Sequence, residues 1–172
     1  MESADLRNIM ECALSELERC LGPRKAGRVI SGAHVPVHKD VRSREDPLYL
    51  TLRVLVVPMM EGLGYSRVSS YDVADGCVPG MAMAVSPMNS PISHPLSRVM
   101  SAMHADGSRF GIATDGFRWA KVSGSDAGVR VRVVSDLRPY YIEVLDRSHF
   151  RHAEPEGEGE LILFADSFSK GM

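Results

Sequence analysis

Several things are scarce in this chain, and each scarcity excludes something. Three cysteines occur in 172 residues, Cys12, Cys20 and Cys77. They cannot all pair with one another, and none stands in the CxxC spacing of a zinc or thiol–disulfide site. No basic-then-apolar leader opens the chain, so reduced thiols in a cytoplasmic protein are the expectation. No apolar run approaches the roughly 20 residues that a membrane-spanning helix requires, and no membrane partner is expected. Aromatic residues make up 6%, with a single tryptophan, and the net charge of −2 gives no global pull toward nucleic acid. Serine, histidine and aspartate are all present, yet no GxSxG elbow arranges them for nucleophilic catalysis, and no glycine-rich loop is placed to cradle a phosphate. His149 and His152 have no third ligand at a recognisable spacing and read as surface residues. His34 and His38, in an extended "HVPVH", would lie about 13 Å apart and cannot share an ion. No cofactor is expected.

What is present is enough apolar material, 44% of the residues, for one domain with a real core. Leu6, Ile9, Met10, Ala13, Leu14, Leu17 and Leu21 recur at helical spacing, which predicts an amphipathic helix from about 4 to 21. Gly22-Pro23 reads as its stop. From Arg24 to Arg44 there are six basic residues against one acidic residue, Asp40. The glycines and prolines there suggest an extended linker. Residues 1–45 are therefore read as a helix and basic linker packed on the body, and 46–172 as a single globular α/β unit.

Asp46-Pro47 supplies a cap and a first-turn proline for a second helix, "LYLTLRVLVVPMMEGLGY", apolar nearly all round and expected to kink at Pro58. The valines leave a strand over 52–57 as the alternative. Short alternating pieces follow, "SRVSSYDV" and "VPGMAMAV", then a helix from Pro95 to Ala105 ending at Asp106-Gly107. "RFGIATDGFRWAKV", "GVRVRVVSDL" and "YYIEVL" read as further strands, and "ELILFADSFSK" as a closing helix. Val129, Val131 and Val133 alternate with Arg130 and Arg132 at the period of a half-buried strand. Most of the ten methionines read as core filler, although Met81, Met83 and Met88 around a proline-rich turn could line an adaptable contact surface. The expected class is α+β, a mixed central sheet flanked by helices, with an additional N-terminal amphipathic helix.

Within "FGIATDGFRWAKV", Asp115-Gly116 between two apolar runs is a hairpin signal. A type I′ turn needs positive φ at both central positions, and Trp119 then packs. The stretch resembles the "giLTNGxxWxly" hairpin of the N-terminal nuclease-like domain of type I restriction enzyme R subunits and related PD-(D/E)xK proteins. "LYLTLRVLVVPMMEGLGYSRVSSYDV" is similar to the opening helix of that family, which ends in "LGY" or "LGW" before the first strand. The resemblance spans residues 46 to 122 and implies a restriction-endonuclease-like fold. It also implies a magnesium-type ion held by an Asp on one strand and a Glu on the next, with a Lys two residues on, for phosphodiester hydrolysis.

The chain departs from that pattern where the chemistry lies. Gly80 takes the Asp position, and from Gly62 to Ala120 there is neither a Glu nor a Lys. Asp106 and Asp115 read as turn residues. Asp72 and Asp75, on or just after the first strand, are the only carboxylates to which a migrated metal site could fall. What remains resembles the scaffold without its catalytic residues. The reading is a non-catalytic, nuclease-like interaction or nucleic-acid-associated module, with a homodimer left open. The alternatives are a divalent-metal nuclease using Asp72 and Asp75, or a small-ligand binding domain. Arg109, Arg118, Lys121, Arg130 and Arg132 are the candidate nucleic-acid contacts, since a basic sheet face can hold a phosphate backbone. A solvated face that discourages edge pairing is the plainer alternative, favoured because no aromatic stacking residue is interleaved with the arginines of "GVRVRVVSDL" and the net charge is slightly acidic.

Overall fold

A computed structural model describes residues 3–34, 46–65, 81–125, 128–149 and 158–169. The expected strand "SRVSSYDV", Gly80, Asp72 and Asp75, the segments 35–45 and 150–157, and the side chains of His149 and His152 lie outside the described residues.

Helix α1 (Ser3–Leu21) follows its apolar period: Leu6, Met10, Ala13, Leu14 and Leu17 are buried on one stripe. The expected linker does not begin at Pro23. Pro23 opens a second helix, α2 (Pro23–Ile30), which buries Ala26, Val29 and Ile30. Proline at the first helical position gives up an N–H that has no partner there anyway, so Gly22-Pro23 ends one helix and starts the next. The N-terminal helices belong to the main core, and Arg7 of α1 pairs with Glu143 at 3.0 Å.

Helix α3 occupies 47–62 in three continuous pieces, α-helical Pro47–Leu50, a π-helical Thr51–Val56 and α-helical Val57–Gly62. Tyr49 N–H donates to Asp46 Oδ1 at 2.8 Å, the expected cap. The helix outcompetes the strand alternative. It meets Pro58 by widening, and the Val57 N–H reaches back five residues to the Leu52 carbonyl. The wider turn just before the proline makes room for a ring that would otherwise strike the backbone one turn back.

The described sheet has four strands in the order β1 (Ala82–Val85), β2 (Phe110–Thr114), β3 (Arg118–Ser125), β4 (Gly128–Asp136). β1 is parallel to β2, and α4 (Ser93–Asp106) makes the crossover between them; β2–β3 and β3–β4 are antiparallel. The molecule is therefore α+β with a mixed sheet. The two sheet faces are unequal. Small residues Ala82, Ala84, Gly111, Ala113 and Ala120 let α4 lie close, with Val99 and Met103 on them. A Cβ at Gly111 would stand 2.7 Å from Val99 Cγ2, so only glycine fits.

The opposite face, with Met83, Val85, Ile112 and Trp119, closes over the larger core built by α1, α2, α3, α5 (Arg138–His149) and α6 (Glu158–Phe168). Met83 and Met88 are core residues there and not a contact surface. Trp119 meets Phe164 and Phe168 edge-on, at 5.8 and 6.1 Å between ring centroids. Burial of each such side chain contributes about 1.5–3 kcal/mol.

"YYIEVL" is not a strand. Asp136 Oδ1 accepts from Arg138 N–H at 2.9 Å, Pro139 follows in the first turn, and the segment runs as α5, burying Tyr140, Tyr141 and Val144. Its aromatic and β-branched content favours strand locally. The cap and the core it completes override that preference.

Candidate nucleic-acid interface

Strands β2, β3 and β4 and the residues beside them carry the basic candidates singled out in the sequence, and the tip and the open end of the β2–β3 hairpin use them differently. At the tip, Asp115 N–H donates to the Arg118 carbonyl at 3.3 Å, which makes Gly116-Phe117 the central pair. Gly116 has a φ of 88°, and neither Asp115 nor Phe117 has positive φ. Positive φ thus falls at the first central position alone. The type I′ turn centred on Asp115-Gly116 is not formed.

Asp115 is 0% exposed. Its Oδ1 accepts from Phe117 N–H at 3.2 Å and Arg118 N–H at 2.7 Å, and its Oδ2 from Arg118 Nε at 3.1 Å and Arg118 Nη2. Thr114 Oγ1 donates to the Arg118 carbonyl at 2.7 Å and accepts from Gly116 N–H at 2.9 Å. Arg118 also donates to the Ser90 carbonyl. Phe117 lies edge-on to Tyr141 at 5.3 Å, with the Arg138 guanidinium 5.4 Å from its ring centroid. A Cβ on Gly116 would stand 2.7 Å from Leu55 Cδ1, so the tip is pressed against the widened part of α3. Thr114 and Asp115 hold a turn inside the molecule, and every donor that reaches the carboxylate comes from the hairpin itself.

The other end is open. Phe110, the first residue of β2, pairs across the strands with Ser123, and Ser123 pairs with Arg130. Paired residues share a face, so Phe110, Ser123 and Arg130 form one row across three strands. Phe110 is 50% exposed, and Arg109, Arg130 and Arg132 are exposed. Arg132 Nε donates to Ser123 Oγ at 2.6 Å, which draws its guanidinium onto the same row. Arg109 flanks Phe110, its carbonyl accepting from Gly124 N–H at 2.8 Å. Among the described residues none of these three arginines forms an ion pair.

The five basic candidates are therefore not one patch. Arg118 is committed to Asp115, and Lys121 Nζ donates to the Ser167 carbonyl of α6. Arg109, Arg130 and Arg132 gather at the open end. Sequence reasoning missed Phe110, because Arg130 and Arg132 become its neighbours only across the strands.

β4 also differs from its sequence pattern. The register slips between Lys121 and Val122, Arg132 is the extra residue, and the alternation of Val129, Val131 and Val133 is broken there. Val131 stays on the face of Val122 and Val133 falls on the face of Lys121. Val131 and Val134 are left exposed, Val134 at 60%. The half-buried strand of the sequence reading is in fact an outer strand that is mostly solvated.

Beside β4 lies a cleft of about 540 Å³ between the strand, α5 and α6, lined by Val134, Leu137, Tyr140, Glu160 and Leu163 among others. Tyr140 Oη donates to Glu160 Oε2 at 2.8 Å; burial first, and this carboxylate second, push the phenol up to about 12. Tyr140 and Glu160 are thus engaged with each other.

A magnesium-type ion needs converging carboxylates. Among the described residues no three His, Cys, Asp or Glu side chains come together to hold a metal. Asp106 accepts from Ser108 N–H at 2.9 Å in a turn of its own, and Asp115 is enclosed, so these two carboxylates do not fit the ion that the sequence resemblance implies. No described helix is long and apolar enough to cross a membrane. No family model, curated protein or solved structure matches the chain.

Proposed function

We propose that this chain is a non-catalytic module on a restriction-endonuclease-like scaffold, and that it holds a nucleic-acid backbone at the open end of its sheet through Arg109, Arg130 and Arg132. The observation that carries the proposal is the sorting of cations between the hairpin tip and the open end of strands β2 to β4. At the tip the buried carboxylate of Asp115 meets Arg118; at the open end three arginines face solvent without ion pairs among the described residues. Phosphates are the complementary charge, and a guanidinium binds them with paired N–H donors.

Two assays test this. Binding of labelled oligonucleotide should weaken steeply as salt rises, and the double variant Arg130→Glu/Arg132→Glu should lose it. Incubation with Mg²⁺ or Mn²⁺ should leave DNA and RNA uncut. Salt-insensitive binding, or binding that survives the double reversal, contradicts the backbone role. Metal-dependent cleavage lost in Asp72→Ala or Asp75→Ala contradicts the non-catalytic reading.

A further inference from the structure

The row formed by Phe110, Ser123 and Arg130 carries more than charge. A phenylalanine at the start of a strand, with half its surface in water, gives up part of the stabilisation that burial would bring. The other large aromatics of the hairpin, Phe117 and Trp119, are fully buried. Phe110 stands on the core-side face, in line with Ile112, but one rung beyond Lys121, where α6 makes its contact through Ser167. No described helix takes the ring into either hydrophobic cluster. Its immediate surroundings are Ser123 across the strand pair, Arg130 one strand further at about 10 Å, and Arg132 hydrogen-bonded to Ser123.

We propose that this row is a binding site for single-stranded nucleic acid, with Phe110 stacking on one unpaired base while Arg109, Arg130 and Arg132 hold the phosphates on either side. The proposal rests on the backbone-binding reading above and adds the kind of strand to it. Only an unpaired base can offer its face to a ring that stands on a sheet; inside a duplex both faces of each base are covered by its stacked neighbours, and the backbone and base edges are what remain within reach. Stacking on an aromatic tolerates any base, so recognition here is of strandedness and not of sequence. An acidic peptide would satisfy the guanidiniums but leave the ring without a planar partner.

Fluorescence anisotropy with labelled oligothymidylate, oligouridylate and a duplex of the same length decides the matter. Wild type is expected to bind both single strands more tightly than the duplex. Phe110→Ala should weaken single-strand binding about tenfold, the scale of one lost base–aromatic stack, while leaving weak duplex binding unchanged. Phe110→Trp should retain the preference, which separates stacking from any loss of fold. Equal affinity for duplex and single strand, with no effect of Phe110→Ala, overturns this inference and leaves the backbone reading standing. Absence of binding to all three at low salt overturns both. Polyglutamate competing as well as oligothymidylate shows a general polyanion surface and also overturns the stacking role.

Discussion

Each end of the β2–β3 hairpin carries an arginine and an aromatic side chain, and the two ends use them in opposite ways. At the tip, Arg118 closes on the buried Asp115 while Phe117 and Trp119 fill the core. At the open end, Phe110, the preceding Arg109 and the arginines of β4 face solvent. The difference is depth. A guanidinium taken out of water requires a carboxylate beside it, because the desolvation of an unpaired charge costs several kcal/mol. The tip supplies one and becomes structural. The open end lies beyond the helices that cover the sheet, needs no internal partner, and keeps its charge for something outside. Residue type alone does not separate a structural arginine from a binding one; the partner does.

Substitutions at the tip should therefore change stability without changing affinity. The largest effect is expected for Asp115→Ala, which strips four acceptor contacts and leaves Arg118 facing a closed turn. Denaturant unfolding should show a loss of about 3–5 kcal/mol. Asp115→Asn keeps the Oδ1 acceptor for the Phe117 and Arg118 amides but loses the charge, and should fall between Asp115→Ala and wild type. If Asp115→Asn proves silent, the ion pair contributes nothing and the contrast between the two ends collapses.

Gly116→Val comes next, at about 2–4 kcal/mol, because it places a β-branched residue at positive φ and drives its Cβ against Leu55. The folded fraction of either variant should bind oligonucleotide as wild type does. At the open end the expectation reverses: Arg130→Glu/Arg132→Glu should move stability by no more than about 0.5 kcal/mol, as exposed charges do, while binding is lost. A melting temperature that falls with the double reversal would make these arginines structural too.

Much of the architecture could be read from residue spacing, and the failures have local causes. The apolar stripe of α1 and the cap and proline of α3 depend on neighbours three or four positions away, so the sequence shows them directly. Gly22-Pro23 misled because one pair of residues can close a helix and open another. "YYIEVL" misled because its strand-forming side chains are recruited by a cap at Asp136 and by the core.

The hairpin itself was evident, but its centre was not. Moving the central pair from Asp115-Gly116 to Gly116-Phe117 changes the partner of Phe110 from Lys121 to Ser123. With the earlier register the aromatic would stand across from a lysine held by α6, and the row at the open end would not exist. That shift depends on the fit of the tip against Leu55 and Thr51, more than 50 residues away in the chain. The bulge at Arg132 has no comparable local signal in an unbroken alternation of valine and arginine. Asp72 and Asp75 lie outside the described residues, and the nuclease alternative attached to them is answered by cleavage assays.

The most direct test of the division between the two ends is to follow backbone amide chemical shifts by NMR while oligothymidylate is added. The account predicts that the amides of 109–111, 122–125 and 129–133 move together and saturably, and that those of 114–119 stay in place. Shifts centred on the tip, or spread evenly over the sheet, would contradict it.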